Sequence, residues 1–131
     1  MILLSKKSFA HTRIQAIKVA LDGIKHVLTT QPNARIHAGF TLAVFIVAGL
    51  LKLPRLEWVI LLLAVGLVWA AEVFNTAVEI TVDVVSPNYD PKAKIIKDIS
   101  AGAVLISVLV SILVGLFIFG PYIWNWIKTF F

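Results

Sequence analysis

The chain of 131 residues has no cysteine, a single methionine and only seven acidic residues. Without a thiol there is no disulfide, no thiolate nucleophile, no zinc–thiolate centre and no iron–sulfur cluster, and cysteine usage says nothing of the redox compartment. Charge is sparse too: 15% of the residues are Asp, Glu, Lys or Arg, against about 25% in a soluble domain. The seven glycines are scattered, and none opens the glycine-rich loop of a P-loop or a Rossmann unit; no H-E-x-x-H occurs either. His11, His26 and His37 are too dispersed to suggest a metal site or a nucleophile.

What the chain does have is apolar surface. Hydrophobic residues make up 60% of it and the mean hydropathy is +0.94, which excludes a soluble protein with one small core. Twelve Lys and Arg against seven Asp and Glu give a net charge of +5. In so apolar a chain this excess suits anionic lipid headgroups or substrate phosphates, not nucleic acid. The opening Met1-Ile-Leu-Leu-Ser-Lys-Lys has its apolar run before its charges and too short for a signal-peptide core, so the N-terminus is expected to be mature.

About 20 helical residues span the hydrocarbon of a bilayer. The pattern predicts an all-α membrane protein of one domain over 1–131, with an amphipathic surface helix at 8–29 and spans at 36–53, 56–82 and 99–119. In the surface helix Phe9, Ile14, Ile17, Leu21, Ile24 and Leu28 recur at spacings near 3 and 4, opposite Arg13, Gln15, Lys18, Asp22, Lys25 and His26. That face suits the headgroup plane, although packing on the protein's own spans would use the same pattern. Trp58, Tyr122, Trp124 and Trp126 fall where interfacial aromatics are expected.

Six Lys and Arg precede the first span and three, Lys92, Lys94 and Lys97, lie between the second and third, so the positive-inside rule puts nine of twelve in the cytoplasm. The expected location is the inner, cytoplasmic membrane, with the N-terminus and a Ser86-to-Lys97 loop on the cytoplasmic side. In the third span Ala103, Ser107, Ser111 and Gly115 form a strip of small residues along which another helix could pack closely, and Gly66 and Ala70 offer a shorter one.

The informative stretch is Trp69-Ala-Ala-Glu72-Val-Phe-Asn75-Thr-Ala-Val-Glu79-Ile-Thr-Val-Asp83. At roughly 100° per residue, Glu72, Asn75, Glu79 and Asp83 all project within an arc of about 80°. If Trp58 marks the outer interface, Glu72 lies about 9 Å inside the inner hydrocarbon edge, while Glu79 and Asp83 reach headgroup level. An ionised group at mid-membrane costs about 2.5–3.5 kcal/mol even on the lenient insertion scale, so a carboxylate there implies a use. The uses open at this point are a polar seam between helices, a cation or proton path, and a base beside a phosphate site. The stripe has no counterpart charges in the outer half, which argues against a continuous path. Ser86-Pro-Asn-Tyr-Asp-Pro is turn-forming, and Lys92, Lys94, Lys97 and Asp98 follow it. Lysines facing acidic residues read as a phosphate-and-metal site built on carboxylate-held Mg²⁺.

Glu72-Val-Phe-Asn75-Thr-Ala-Val-Glu79-Ile-Thr-Val-Asp83, with Lys97-Asp98 and Ala101-Gly-Ala-Val-Leu downstream, closely resembles the signature of the prokaryotic diacylglycerol kinase family, which includes the undecaprenol kinases. The likeness runs from about Thr12 to Phe119. It implies a three-span enzyme with an N-terminal surface helix, assembled as a homotrimer with shared active sites. By resemblance, Glu72 is the catalytic base, Glu79 a ligand of Mg²⁺ and nucleotide, and Asn75, Asp83, Lys97 and Asp98 the other polar positions of the site. Lys94 joins Lys97 as a second cation for the phosphates. Gln31 stands where many members carry a second metal-binding Glu, and Val19 where some place a nucleotide-contacting Tyr. Asn33-Ala-Arg35-Ile-His37 looks more like the undecaprenol kinase branch. The implied reaction is transfer of the γ-phosphoryl group of MgATP to the hydroxyl of a membrane lipid, diacylglycerol or undecaprenol. A small proton-coupled transporter and a non-catalytic membrane scaffold are the competing classes.

Overall fold

The computed structural model describes residues 6–129, with side chains described from residue 13 onward. The expectation of a mature N-terminus, and the side chains of Lys6, Lys7, Phe9 and His11, lie outside those residues. The described chain is four helices without a strand: α1 (Lys6–Thr30), α2 (Pro32–Leu50), α3 (Arg55–Val85) and α4 (Pro91–Lys128). The last three are each long and apolar enough to cross a membrane, so the protein is an all-α membrane protein with an N-terminal helix.

One residue, Gln31, separates α1 from α2. It is extended, with φ −97° and ψ 116°, because the proline that follows excludes the helical region at the preceding position. Pro32 then opens α2, where its missing N–H costs nothing. The orphan carbonyls at the end of α1 are met from the next helix: the Arg35 guanidinium donates to Leu28 O at 3.2 Å and also to Thr29 O. This bracket fixes the corner between the two helices.

Helix α2 stops at Leu50, three residues before the end of the span expected at 36–53, because the chain turns there into a Schellman cap. Lys52 takes φ 54°, its N–H donates to Gly49 O at 3.1 Å, and Leu53 N–H donates to Ala48 O at 3.1 Å. A lysine in this left-handed conformation costs roughly 1–2 kcal/mol, where glycine would cost little. Burial of Leu53 against Ala48, Leu61 and Ile118 offsets it.

The third corner differs from the expected Ser86-to-Lys97 loop. Helix α4 begins at Pro91, with Asp90 as its cap accepting from Lys92 N–H at 2.7 Å. Asp-Pro supplies cap and N1 residue together, so Lys92, Lys94, Lys97 and Asp98 stand on the first turns of a helix. At its other end α4 runs through Pro121 to Lys128, beyond the expected limit at Phe119. There Tyr122 OH donates to Glu57 Oε2 at 2.8 Å, which ties the extension to the start of α3.

Helices α3 and α4 pack against each other as a hairpin, and part of the small-residue strip allows it. Ser107 is buried, and Ser111 Oγ donates to the backbone carbonyl of Ala64 at 3.0 Å. Helix α2 packs mainly on α3, joined to it by a 3.1 Å bond from Trp69 Nε1 to Thr41 Oγ1. Trp58 belongs to the packing, tilted against Phe45 with ring centroids 5.9 Å apart. Most of the apolar face of α1 is left uncovered: Ile14, Ile17, Leu21 and Ile24 stay exposed, while Val27 near its end is buried. Packing on the spans of its own chain therefore does not cover its apolar face.

Candidate active site

The buried face of α3 runs through Leu61, Ala64, Val68, Glu72, Asn75 and Thr76 at helical spacing. The polar stripe is thus the continuation of the core face, turned into the seam between α2 and α4. Glu72 is 2% exposed, as buried as any apolar residue of the hairpin. Thr76, equally buried, donates back to Glu72 O at 2.9 Å, which satisfies its hydroxyl within the helix.

A cavity of about 290 Å³ opens on this face, with Asn33, His37, Glu72, Asn75 and Glu79 among its walls and Val104, Leu105 and Val108 of α4 opposite. Its polar groups are ordered by two bonds across Asn75. Ser100 Oγ on α4 donates to Asn75 Oδ1 at 2.7 Å, and Asn75 Nδ2 donates to Glu79 Oε1 at 3.0 Å. The two bonds together seat the amide with Oδ1 toward Ser100 and the NH₂ group toward Glu79. Glu72 has no such support: its Oε2 is buried with no hydrogen-bond partner among the described residues. His37 Nε2 stands 3.9 Å from that oxygen.

Next to this cavity is a second space of about 370 Å³, bounded by α2, α3 and α4 and lined by apolar side chains such as Phe40, Val44, Val65 and Phe119. Ile36, His37 and Val108 border both spaces. Thr41 and Ser111 are the other polar side chains of this groove, and each is already bonded within the protein, to Trp69 and to Ala64 O. The donors of those two bonds, Trp69 Nε1 and the Ser111 hydroxyl, are thereby engaged, and the rest of the wall apart from His37 is apolar.

The remaining residues singled out in the sequence stand outside the cavity wall. Lys97 of α4 pairs with Asp83 of α3 across the hairpin, and Lys94 pairs with Asp98 at 2.7 Å one turn apart; both pairs are solvent-facing. Exposed pairs of this kind add little to stability, so these lysines can exchange their partners for a phosphate at small cost. Gln31, at the α1–α2 corner, is not among the residues lining the cavity. Among the described residues no three His, Asp or Glu side chains converge on a point that could hold an ion. Mg²⁺ needs no such cage, since it keeps several waters and takes one or two carboxylates together with substrate phosphates. The carboxylate of Glu79, half-buried at the rim, fits that requirement.

Two groups of the site were not legible in the sequence. His37 and Ser100 act across helix boundaries, 35 and 25 residues from their partners, and no spacing rule links such positions. The only sign was that His37 closes the segment Asn33-Ala-Arg35-Ile-His37.

Residues 18–119 match the family model for prokaryotic diacylglycerol kinase. The chain belongs to the prokaryotic diacylglycerol kinase family. An undecaprenol kinase of Bacillus subtilis is 38% identical to it over 115 residues, covering 88% of this chain and 87% of that protein. A diacylglycerol kinase of Synechocystis sp. is 39% identical over 101 residues, which are 76% of this chain and 58% of that longer protein. Membership makes the chain a lipid kinase, with ATP implied as its co-substrate, and sets aside the transporter and the scaffold.

Proposed function

We propose that this kinase transfers the γ-phosphoryl group of MgATP to the hydroxyl of a polyprenol, on the cytoplasmic side of the inner membrane. The observation that carries the proposal is the buried carboxylate of Glu72, one oxygen unpaired, on the wall of a cavity that shares His37, Ile36 and Val108 with an apolar groove. A base so placed serves a substrate whose reacting end is polar and whose remainder is hydrocarbon. Glu72 accepts the hydroxyl proton; Asn75, held by Ser100, orients the cavity's polar wall; Glu79 takes the Mg²⁺ that accompanies the nucleotide. Lys97 and Lys94, released from Asp83 and Asp98, neutralise charge on the phosphates. Phosphoryl transfer asks mainly for in-line positioning and electrostatic stabilisation, so a helical site without a P-loop is sufficient.

In the homotrimer proposed here, with sites shared between copies, the amide oxygen of Gln31 would serve as a second, uncharged donor to Mg²⁺. The positive-inside count supports a cytoplasmic site, because Lys92, Lys94 and Lys97 stand at the same end of the hairpin as Glu79. A polyprenol is preferred over diacylglycerol because the groove is lined almost wholly by apolar side chains, which suit an unbroken hydrocarbon chain better than one carrying ester groups. The name and extent of the Bacillus relative support the same choice.

The test is one assay of the purified protein with MgATP, offering undecaprenol and diacylglycerol side by side and tracing phosphate into lipid. The polyprenol should be phosphorylated with the higher kcat/KM. Preference for diacylglycerol would overturn the choice of acceptor, and absence of label in either lipid would overturn the activity.

A further inference from the structure

We infer that His37 is a substrate-orienting residue, whose Nε2–H holds the acceptor hydroxyl against Glu72. This deepens the proposed kinase reading and rests on it. His37 Nε2 and Glu72 Oε2 are 3.9 Å apart, beyond a hydrogen bond, and that same Oε2 is buried without a donor. One oxygen atom fills such a gap: placed about 2.8 Å from each, it subtends roughly 90° between them, within the range of a hydroxyl that donates once and accepts once. The gap is therefore the size of the reacting group.

The setting of the two side chains gives the hydroxyl its source. Glu72 is 2% exposed and the His37 side chain 17% exposed, so the oxygen between them is largely shielded from bulk water. Of the three residues that border both the polar cavity and the apolar groove, His37 is the one with a polar side chain. It stands where a chain lying in the groove would present its terminal oxygen to the cavity.

With the alcohol seated there, its O–H donates to Glu72 Oε2 and one lone pair accepts from His37 Nε2–H. The remaining lone pair is free to face the γ-phosphorus. As the new O–P bond forms, the bond from the γ-phosphorus to the β–γ bridging oxygen breaks. ADP leaves with that electron pair, and the hydroxyl proton passes to Glu72. His37 gains and loses no proton in this sequence; it selects which lone pair attacks.

The test compares His37→Leu with His37→Gln, whose amide N–H reaches toward the position of Nε2, in full-length protein in lipid-containing micelles. Helicity by circular dichroism is checked for each. His37→Leu should lower kcat/KM for undecaprenol about 10–100-fold, the range for loss of one well-aligned hydrogen bond in a water-poor site, with KM for ATP unchanged. His37→Gln should recover at least half of that loss on a logarithmic scale. Combining His37→Leu with Glu72→Gln should lose little more than Glu72→Gln alone, since both act on the same oxygen. A His37→Leu variant with kcat/KM within twofold of wild type overturns the inference. So does a folded His37→Gln as impaired as His37→Leu, or full additivity in the double variant. If His37→Leu fails to fold, His37→Gln and its combination with Glu72→Gln decide by the same criteria. Failure of the parent reading looks different: wild type would label no lipid, or Glu72→Gln alone would stay active.

Discussion

Ser100 on α4 donates a 2.7 Å hydrogen bond to Oδ1 of Asn75 on α3, and this bond connects the packing of the hairpin to the site. A single hydroxyl hydrogen serves it, although Lys97 O also lies 2.9 Å from the same oxygen. Removing the hydroxyl leaves the Asn75 amide held by its bond to Glu79 alone, with Oδ1 unpaired toward α4. Ser100→Ala is expected to destabilise the protein by about 1 kcal/mol and to slow lipid phosphorylation several-fold. Reversible unfolding in mixed micelles and a steady-state assay measure the two effects; unchanged turnover would detach Asn75 from the reaction.

Glu72→Gln keeps the size of the side chain and removes the base. Turnover should fall by about 10²–10⁴, the usual contribution of a general base, while the helical circular dichroism stays as in wild type. Full activity of the purified variant would refute the assignment.

Glu79→Gln should act through the metal. The amide oxygen still accepts from Asn75 Nδ2, which Glu79 Oε1 now does at 3.0 Å, so the local geometry is retained while one negative charge is lost. The Mg²⁺ concentration giving half-maximal activity should rise several-fold. A superimposable Mg²⁺ titration would remove Glu79 from the metal site.

Lys97→Met separates stability from function at the hairpin mouth. Its partner Asp83 is 64% exposed, and exposed pairs contribute about 0.2–1 kcal/mol at most. Unfolding should therefore shift little, while KM for ATP increases markedly. A large loss of stability with unchanged nucleotide kinetics would make the pair structural.

Trp69→Phe and Thr41→Val probe how α2 is held on the hairpin. Each removes the same 3.1 Å bond between Trp69 Nε1 and Thr41 Oγ1, so their effects should be non-additive, with a coupling near the average of about 0.6 kcal/mol for hydrogen bonds within membranes. Strict additivity of the two in unfolding measurements would show that the bond does not hold α2 in place.

Much of the molecule can be read along one helix at a time. Hydropathy run lengths gave the number of spans, because the bilayer tests each segment separately. The spacing of Glu72, Asn75 and Glu79 placed them on one flank, because a helix repeats every 3.6 residues. The ends of the elements were less legible. The Schellman cap at Lys52 uses a residue that rarely takes that conformation, and α4 gains its first turns from a local Asp90-Pro91 cap that a hydropathy window cannot register.

Three apolar spans, an N-terminal amphipathic helix and a polar flank on the second span can be read from residue order alone, since all of these follow from composition and period within a segment. Which way that flank turns, the bond from Ser100 to Asn75 and the 3.9 Å separation of His37 from Glu72 arise with the packing of the helices. The physical reason is that these are meetings between helices. They depend on the rotation and depth at which α2 and α4 pack on α3, and those are set by small residues, corner caps and a few hydrogen bonds acting together.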